Sequence, residues 1–328
     1  KGTEKRTVNQ IAKEIEGVGG ILNAFTSEEI TVYHAKLPSE HLEIAMDVLF
    51  DVFFNASFPE EEVGKEGNTI IEEIKMHHDN PHLHVWEKLK GNLYSGSLGS
   101  SIVGSEKTVR RMNREKLFKR HRDFYVPRNS IFCVVGNNSF ENVVRLAEKF
   151  VVEREEKKKE LPKIELQVLN NVERRKDLHQ TNLALGLHFP KLSDLERYAA
   201  EVFSMILGHG MSSRLFKEVR EKRGLVYGIR SELDLGKSYG SFVIWAGTDP
   251  KNVEEVKKLC LEEYSKMKNL TEEELKSAKI QIIGNRDVES ESSDSVAVNL
   301  ILEEISRDAK DYYKFEKKDG TISNETYL

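Results

Sequence analysis

The run Phe58-Pro-Glu-Glu-Glu-Val63 returns 212 residues later as Leu270-Thr-Glu-Glu-Glu-Leu275. The same succession of patterns leads up to each copy. Ile30–Leu37 reads as a strand, and the apolar positions Leu42, Ile44, Ala45, Val48, Leu49, Val52 and Phe53 after it line one helical face. Tyr239–Ala246 reads as a strand, and residues 252–268 after it read as a helix. A chain patterned this way folds as two copies of one unit. The class expected is α+β: two similar domains, each a mostly antiparallel sheet with helices packed on one face. The break between them is expected in the charged run after residue 152. That gives an N-terminal domain 1–152, a linker 153–163 and a C-terminal domain 164–328.

Finer patterns predict further elements. A helix over 7–18 ends at Gly19-Gly20, and strands Ile21–Thr26 and Ile30–Leu37 follow it around Ser27-Glu28-Glu29. Ser39, after Pro38, is a candidate N-cap for the next helix. Pro59 opens a helix carrying Glu66 and Glu73, and the apolar run Ile131–Gly136, with Cys133 inside it, reads as a buried strand. In the second half, strands are expected at Thr181–His188 and Val226–Leu233, and helices at 193–207 and 212–222.

The charge balance removes several function classes. Net charge is -5 with both signs interspersed, and no basic stripe exists that would suit nucleic acid. No apolar run approaches the ~18 residues of a membrane span. The two cysteines, Cys133 and Cys260, have neither metal spacing nor a disulfide framework. A reducing compartment, the cytoplasm, is therefore expected.

Three sets of residues could carry chemistry. Glu66 and Glu73, seven apart, stack on one helical face, where two carboxylates could act together, although read from these residues alone the default is a solvated acidic helix. The offset of 212 places Ala278 opposite Glu66 and Asn285 opposite Glu73, so only the first copy carries the acids. His77, His78, His82 and His84 sit within eight residues, and His77 follows Glu73 by four. Histidine clusters bind metals, but Pro81 breaks the helix between the two pairs, so they need not converge, and surface histidines are the default reading. Arg220 and Tyr227 flank the turn at Gly224, where they could bind a carbonyl or an oxyanion. The alternative there is a Tyr227 packed in the core beside a solvated Arg220.

As an ordered set, the runs Lys1-Gly-Thr-Glu-Lys-Arg6, Gly19-Gly-Ile-Leu-Asn-Ala-Phe-Thr26, Glu72-Glu-Ile-Lys-Met76, Leu98-Gly99, Ile102-Val-Gly-Ser105 and Arg214–Tyr227 resemble the pitrilysin-type (M16) zinc metallopeptidases. The resemblance is to short members similar to bacterial and mitochondrial processing peptidases, and it spans residue 1 to about 315. It implies an inverted zinc motif, His-x-x-Glu-His, which this sequence lacks and which is expected within about ten residues before Lys1. Under the resemblance Glu73 is the third zinc ligand and Glu66 supports it from behind. Asn23, Ala24 and Phe25 belong to an edge strand that binds substrate by strand addition. Arg220 and Tyr227 bind the substrate backbone. The run Asp319–Leu328 departs from the family's closing elements.

The function expected is that of a Zn2+-dependent metalloendopeptidase cleaving unfolded peptides or presequences inside a closed chamber, as a homodimer. Residues 1–328 alone are expected to be inactive, because one ligand stands where three are needed. A non-catalytic, peptide-binding subunit of the same fold is the first alternative. A metal-binding module built on the 77–84 histidines is the second.

Overall fold

The computed structural model describes residues 2–154, 163–176 and 178–314. Most of the expected linker, and the atypical run 319–328, lie outside the described residues. The chain forms two compact units. One takes Lys1–Met76, Ile102–Leu161 and Ser290–Ile301, and the other takes His77–Ser101, Pro162–Glu289 and Leu302–Leu328. Each unit is therefore discontinuous in sequence.

In the first unit, Thr7 and Gln10 close a reciprocal capping box that starts α1 (Val8–Glu16). The hairpin β1 (Ile21–Thr26) and β2 (Thr31–Lys36) pairs antiparallel, with Ile21 opposite Lys36 and Thr26 opposite Thr31. Ser39 does not cap a helix. It opens a single 3-10 turn to His41, from which α2 (Leu42–Phe54) continues. Met46, Phe50 and Phe54 recur every four residues along α2 and are buried against Leu146 of α7 (Phe140–Phe150). Burying each of these side chains contributes roughly 1.5–3 kcal/mol. After α3 (Glu60–Asp79) come α5 (Glu106–Val109) and α6 (Arg114–Phe124). His121 of α6 is buried and donates from Nε2 to the Phe53 carbonyl at 2.7 Å. Burial is the main cause that lowers its pKa.

The expected strand at 131–136 is not formed. A strand needs a backbone partner as well as an apolar pattern, and among the described residues this run joins no ladder. Ile131 and Phe132 are exposed, and Cys133 is half-buried rather than buried.

The second unit is built on a three-stranded antiparallel sheet in the order β5 (Thr181–His188), β7 (Gly240–Thr248), β6 (Val226–Leu235). Every residue of β7 is buried. Its alternate side chains separate by period two. Phe242, Ile244 and Ala246 pack with Val202, Ile206 and Leu207 of α8 (Arg197–Gly208), Val256 and Leu259 of α9 (Val253–Lys266), and Ala278 and Ile282 of α10 (Glu272–Ser290). Val243 packs the other way, with Leu89 and Leu93 of α4 (Pro81–Leu93). Gly186 of β5 permits that approach. A Cβ there would stand 2.9 Å from the methyls of both leucines. Short pieces complete the unit: β3 (Tyr94–Ser95) paired with β4 (Glu165–Leu166), and α12 (Asp311–Lys314).

The repeat is visible as α2–α3 and α9–α10. The two acidic helices run 20 and 19 residues, each after an amphipathic helix that follows a strand. The next helix in each copy lies mostly outside the unit that its predecessor starts in. α4 is grouped with the second unit, and α11 (Ser293–Ser306) has its first nine residues in the first. There Lys36 of β2 pairs with Asp294 at 2.8 Å.

Candidate functional site

α3 places Glu66 and Glu73 on one face, about 10.5 Å apart along the axis. Glu73 is exposed, while Glu66 is half-buried with Oε2 shielded from solvent. Neighbouring carboxylates on the helix are paired: Glu61 and Glu62 with Lys65, and Glu72 with Lys75. Among the described residues Glu73 has no hydrogen bond or ion pair. It is a helix-held carboxylate open to a ligand. Among the described residues, however, no trio of metal-type side chains converges on Glu73. These residues alone do not make a zinc site, which needs three protein ligands.

The signature run at the chain's start is a structural clasp. Thr3 donates to buried Asp51 of α2 at 2.6 Å, and its hydroxyl oxygen accepts the Lys5 and Arg6 amides. Arg6 reaches Asp51, Asp47 and Glu14 at 2.9, 2.6 and 3.0 Å. Burial alone would raise the Asp51 pKa. Hydrogen bonds from Thr3, Asn55 and Arg6 outweigh it and hold the carboxylate below its usual value. One fixed cation bridging three acids pins this segment to α1 and α2.

Asn23, Ala24 and Phe25 lie on β1, which among the described residues is paired on one side only, by β2. All three are exposed. The Ala24 amide donates to the side-chain oxygen of Asn23 at 2.8 Å. An exposed strand of this kind can accept another by β-augmentation.

Arg220 and Tyr227 lie in the second unit. Arg220 is exposed on a π-helical turn (Phe216–Glu221), with its guanidinium 4.9 Å over the Phe216 ring. Such turns interrupt helices and recur at functional positions. Gly224, in the left-handed region at φ 61, donates to the Arg220 carbonyl and turns the chain into β6. Tyr227 sits at a bulge of that strand, where the pairing with β7 slips between Val226 and Gly228. It is 47% exposed, so the core-packed alternative does not hold. Its ring packs edge-on to Trp245 at 5.9 Å, and burial raises the phenol pKa.

The four histidines divide by role. His82 accepts from the Trp86 indole at 3.1 Å, lies 2.9 Å from Arg230 and packs against Trp245. His77 is held by Glu87 at 3.3 Å. The helix breaks at Pro81 as expected, since α3 ends at Asp79 and α4 begins at Pro81, yet one histidine from each pair converges. Pro81 takes the first turn of α4 behind the Asn80 cap, and His84 returns to within 4.9 Å of the His78 ring. Glu173 joins them, 2.9 Å from His84. Nothing in the sequence around Glu173 marked it, because its position comes from long-range folding of an aperiodic run.

Residues 1–106 match the model described as insulinase, peptidase family M16, and residues 111–282 match the one described as the peptidase M16 inactive domain. This chain belongs to peptidase family M16. Among M16 relatives it is 34% identical over 302 residues to the uncharacterized zinc protease YmxG of Bacillus subtilis, covering 90% of this chain and 73% of the relative. It is 36% identical over 290 residues to an uncharacterized zinc protease of Rickettsia felis, covering 87% and 70%. Its fold matches a protease from Helicobacter pylori with a TM-score of 0.90 at 22% identity, over 100% of this chain and 82% of that one. Among the described residues no helix is long and apolar enough to cross a membrane.

Proposed function

We propose that this M16 chain serves a zinc-dependent endopeptidase acting on unfolded peptides or presequences, with Glu73 as one metal ligand. The observation that carries the reading is an exposed carboxylate without a partner among the described residues, held on α3 in a chain of a family whose relatives are named zinc proteases. Glu66, one level along the same face, supports Glu73. The open side of β1 at Asn23–Phe25 takes the substrate as an added strand. Tyr227 and Arg220 supply an O–H and a cation for a substrate carbonyl. The working assembly is a homodimer. Because the described residues do not complete a zinc site, no bond-breaking step is assigned to them.

One observation favours a second reading, a non-catalytic peptide-binding subunit: Glu73 stands without companion ligands among the described residues. Zinc content and peptide hydrolysis separate the two. The endopeptidase binds zinc through Glu73, cleaves an unfolded peptide, and stops on chelation. A subunit that binds the same peptide without cleaving it, and whose zinc content ignores Glu73→Gln, overturns the first reading.

A further inference from the structure

Apart from Glu73, the described residues contain one constellation with the donor set of a transition-metal site: His78, His84 and Glu173. Their ligand atoms lie within 4.8 Å of one another. Tetrahedral zinc, with bonds of about 2.0–2.2 Å, sets its ligands roughly 3.3 Å apart. His84 and Glu173 already meet that spacing at 2.9 Å, and rotation of the half-turned-out His78 ring closes the remainder. Two imidazoles with one carboxylate select zinc-class ions over calcium or magnesium, which take oxygen ligands.

The backbone prepares the three positions. His78 comes from the last turn of α3, and His84 from the first turn of α4. The Asn80 side chain caps the second helix by accepting the His82 and Leu83 amides at 3.0 and 3.3 Å, which sets the bend between them. Arg175, two residues after Glu173, donates to the His78 carbonyl. This bond fixes the Glu173 segment against the bend whether or not a metal is present. The other two histidines are committed to Trp86, Arg230 and Glu87, so the cluster divides into two structural and two ligating residues. Asp79, 3.4 Å from His78, adds negative charge, while Lys88, 3.7 Å from Glu173, is the cation that a metal displaces.

We infer that His78, His84 and Glu173 form a zinc-class cation site that clamps the bend between α3 and α4 to the 171–175 segment. This site shares no ligand with Glu73 and stands whether or not the peptidase reading does. A site of three protein ligands keeps a fourth position for water.

The test is zinc and cobalt titration of the full chain, read by calorimetry, by cobalt absorption and by thermal midpoint. Wild-type protein should bind an ion at this site with a rise in Tm, and Glu73→Gln should leave that ion in place whether or not a second ion is held through Glu73. His84→Ala and Glu173→Gln should each weaken it by about 10- to 100-fold or more. His77→Ala should retain it, which controls for loss of fold. Absence of binding to the wild-type chain overturns the inference. So does binding that is unchanged by His84→Ala together with Glu173→Gln, or binding lost only in Glu73→Gln; the last result would support the Glu73 assignment instead.

Discussion

The phenol ring of Tyr227 lies directly over Gly247: a Cβ at residue 247 would collide with Cε1, Cζ and the hydroxyl. Tyr227 sits on the bulged strand and Gly247 on its neighbour, so the bulge and the missing side chain together place the ring. Gly247→Ala should therefore cost about 1–3 kcal/mol by overpacking. In a Tyr227→Ala background the same change should cost far less. A double-mutant cycle in urea measures that coupling. Near-additive costs would show that the ring does not depend on Gly247.

The clasp of Thr3, Arg6 and Asp51 makes a second prediction. Arg6→Ala leaves Asp51, 2% exposed, without its cation, so the loss should be about 3–5 kcal/mol. Asp51→Ala should cost less, because Arg6 keeps Asp47 and Glu14. Chemical denaturation ranks the two. An equal or reversed order would show that Arg6 is not the residue that neutralises the clasp.

These two relationships show where sequence reading succeeds and where it stops. The hairpin β1–β2, the acidic helix with Glu66 and Glu73, and strands β5 to β7 follow from local periodicity, so they were legible. The run 131–136 has the same apolar character, but a strand also requires a partner, and the partner is not local. Pro81 reads as a breaker between the histidines and does end one helix and start the next, but that pattern does not tell that the bend brings His78 and His84 together. Glu66, Glu73, Arg220 and Tyr227 could be named by resemblance. The supports of Tyr227, namely Gly247 and Trp245, could not, because they come from a different strand.

Glu274 gives a prediction about pH. Arg214 donates to it at 2.6 and 2.7 Å through two nitrogens, which brings its pKa to about 2 from 4.5. A depressed carboxylate contributes stability above its unfolded pKa and loses it as pH falls through the folded value. The contribution, on the order of 1–2 kcal/mol after solvent screening, should be whole above pH 4.5 and should fade towards pH 2. Urea midpoints between those values should fall more steeply for wild type than for Glu274→Gln. Parallel curves would show that the pair adds nothing.

The α3 acids separate ligand from support. If Glu73 holds zinc and Glu66 acts through it, Glu73→Gln should abolish both zinc retention at that site and hydrolysis of an unfolded peptide. Glu66→Gln should keep measurable activity with metal affinity lowered about 10- to 100-fold, the usual consequence of removing an orienting neighbour. Added zinc should then rescue Glu66→Gln and leave Glu73→Gln inactive. Ala278, the Glu66 counterpart in α10, is 2% exposed, so no matching acid faces solvent there. Asn285→Glu in α10 should consequently fail to restore zinc to a Glu73→Gln chain. Chelator-sensitive hydrolysis and metal analysis on the same preparations decide the order, and equal loss in both Gln variants would remove the distinction between ligand and support.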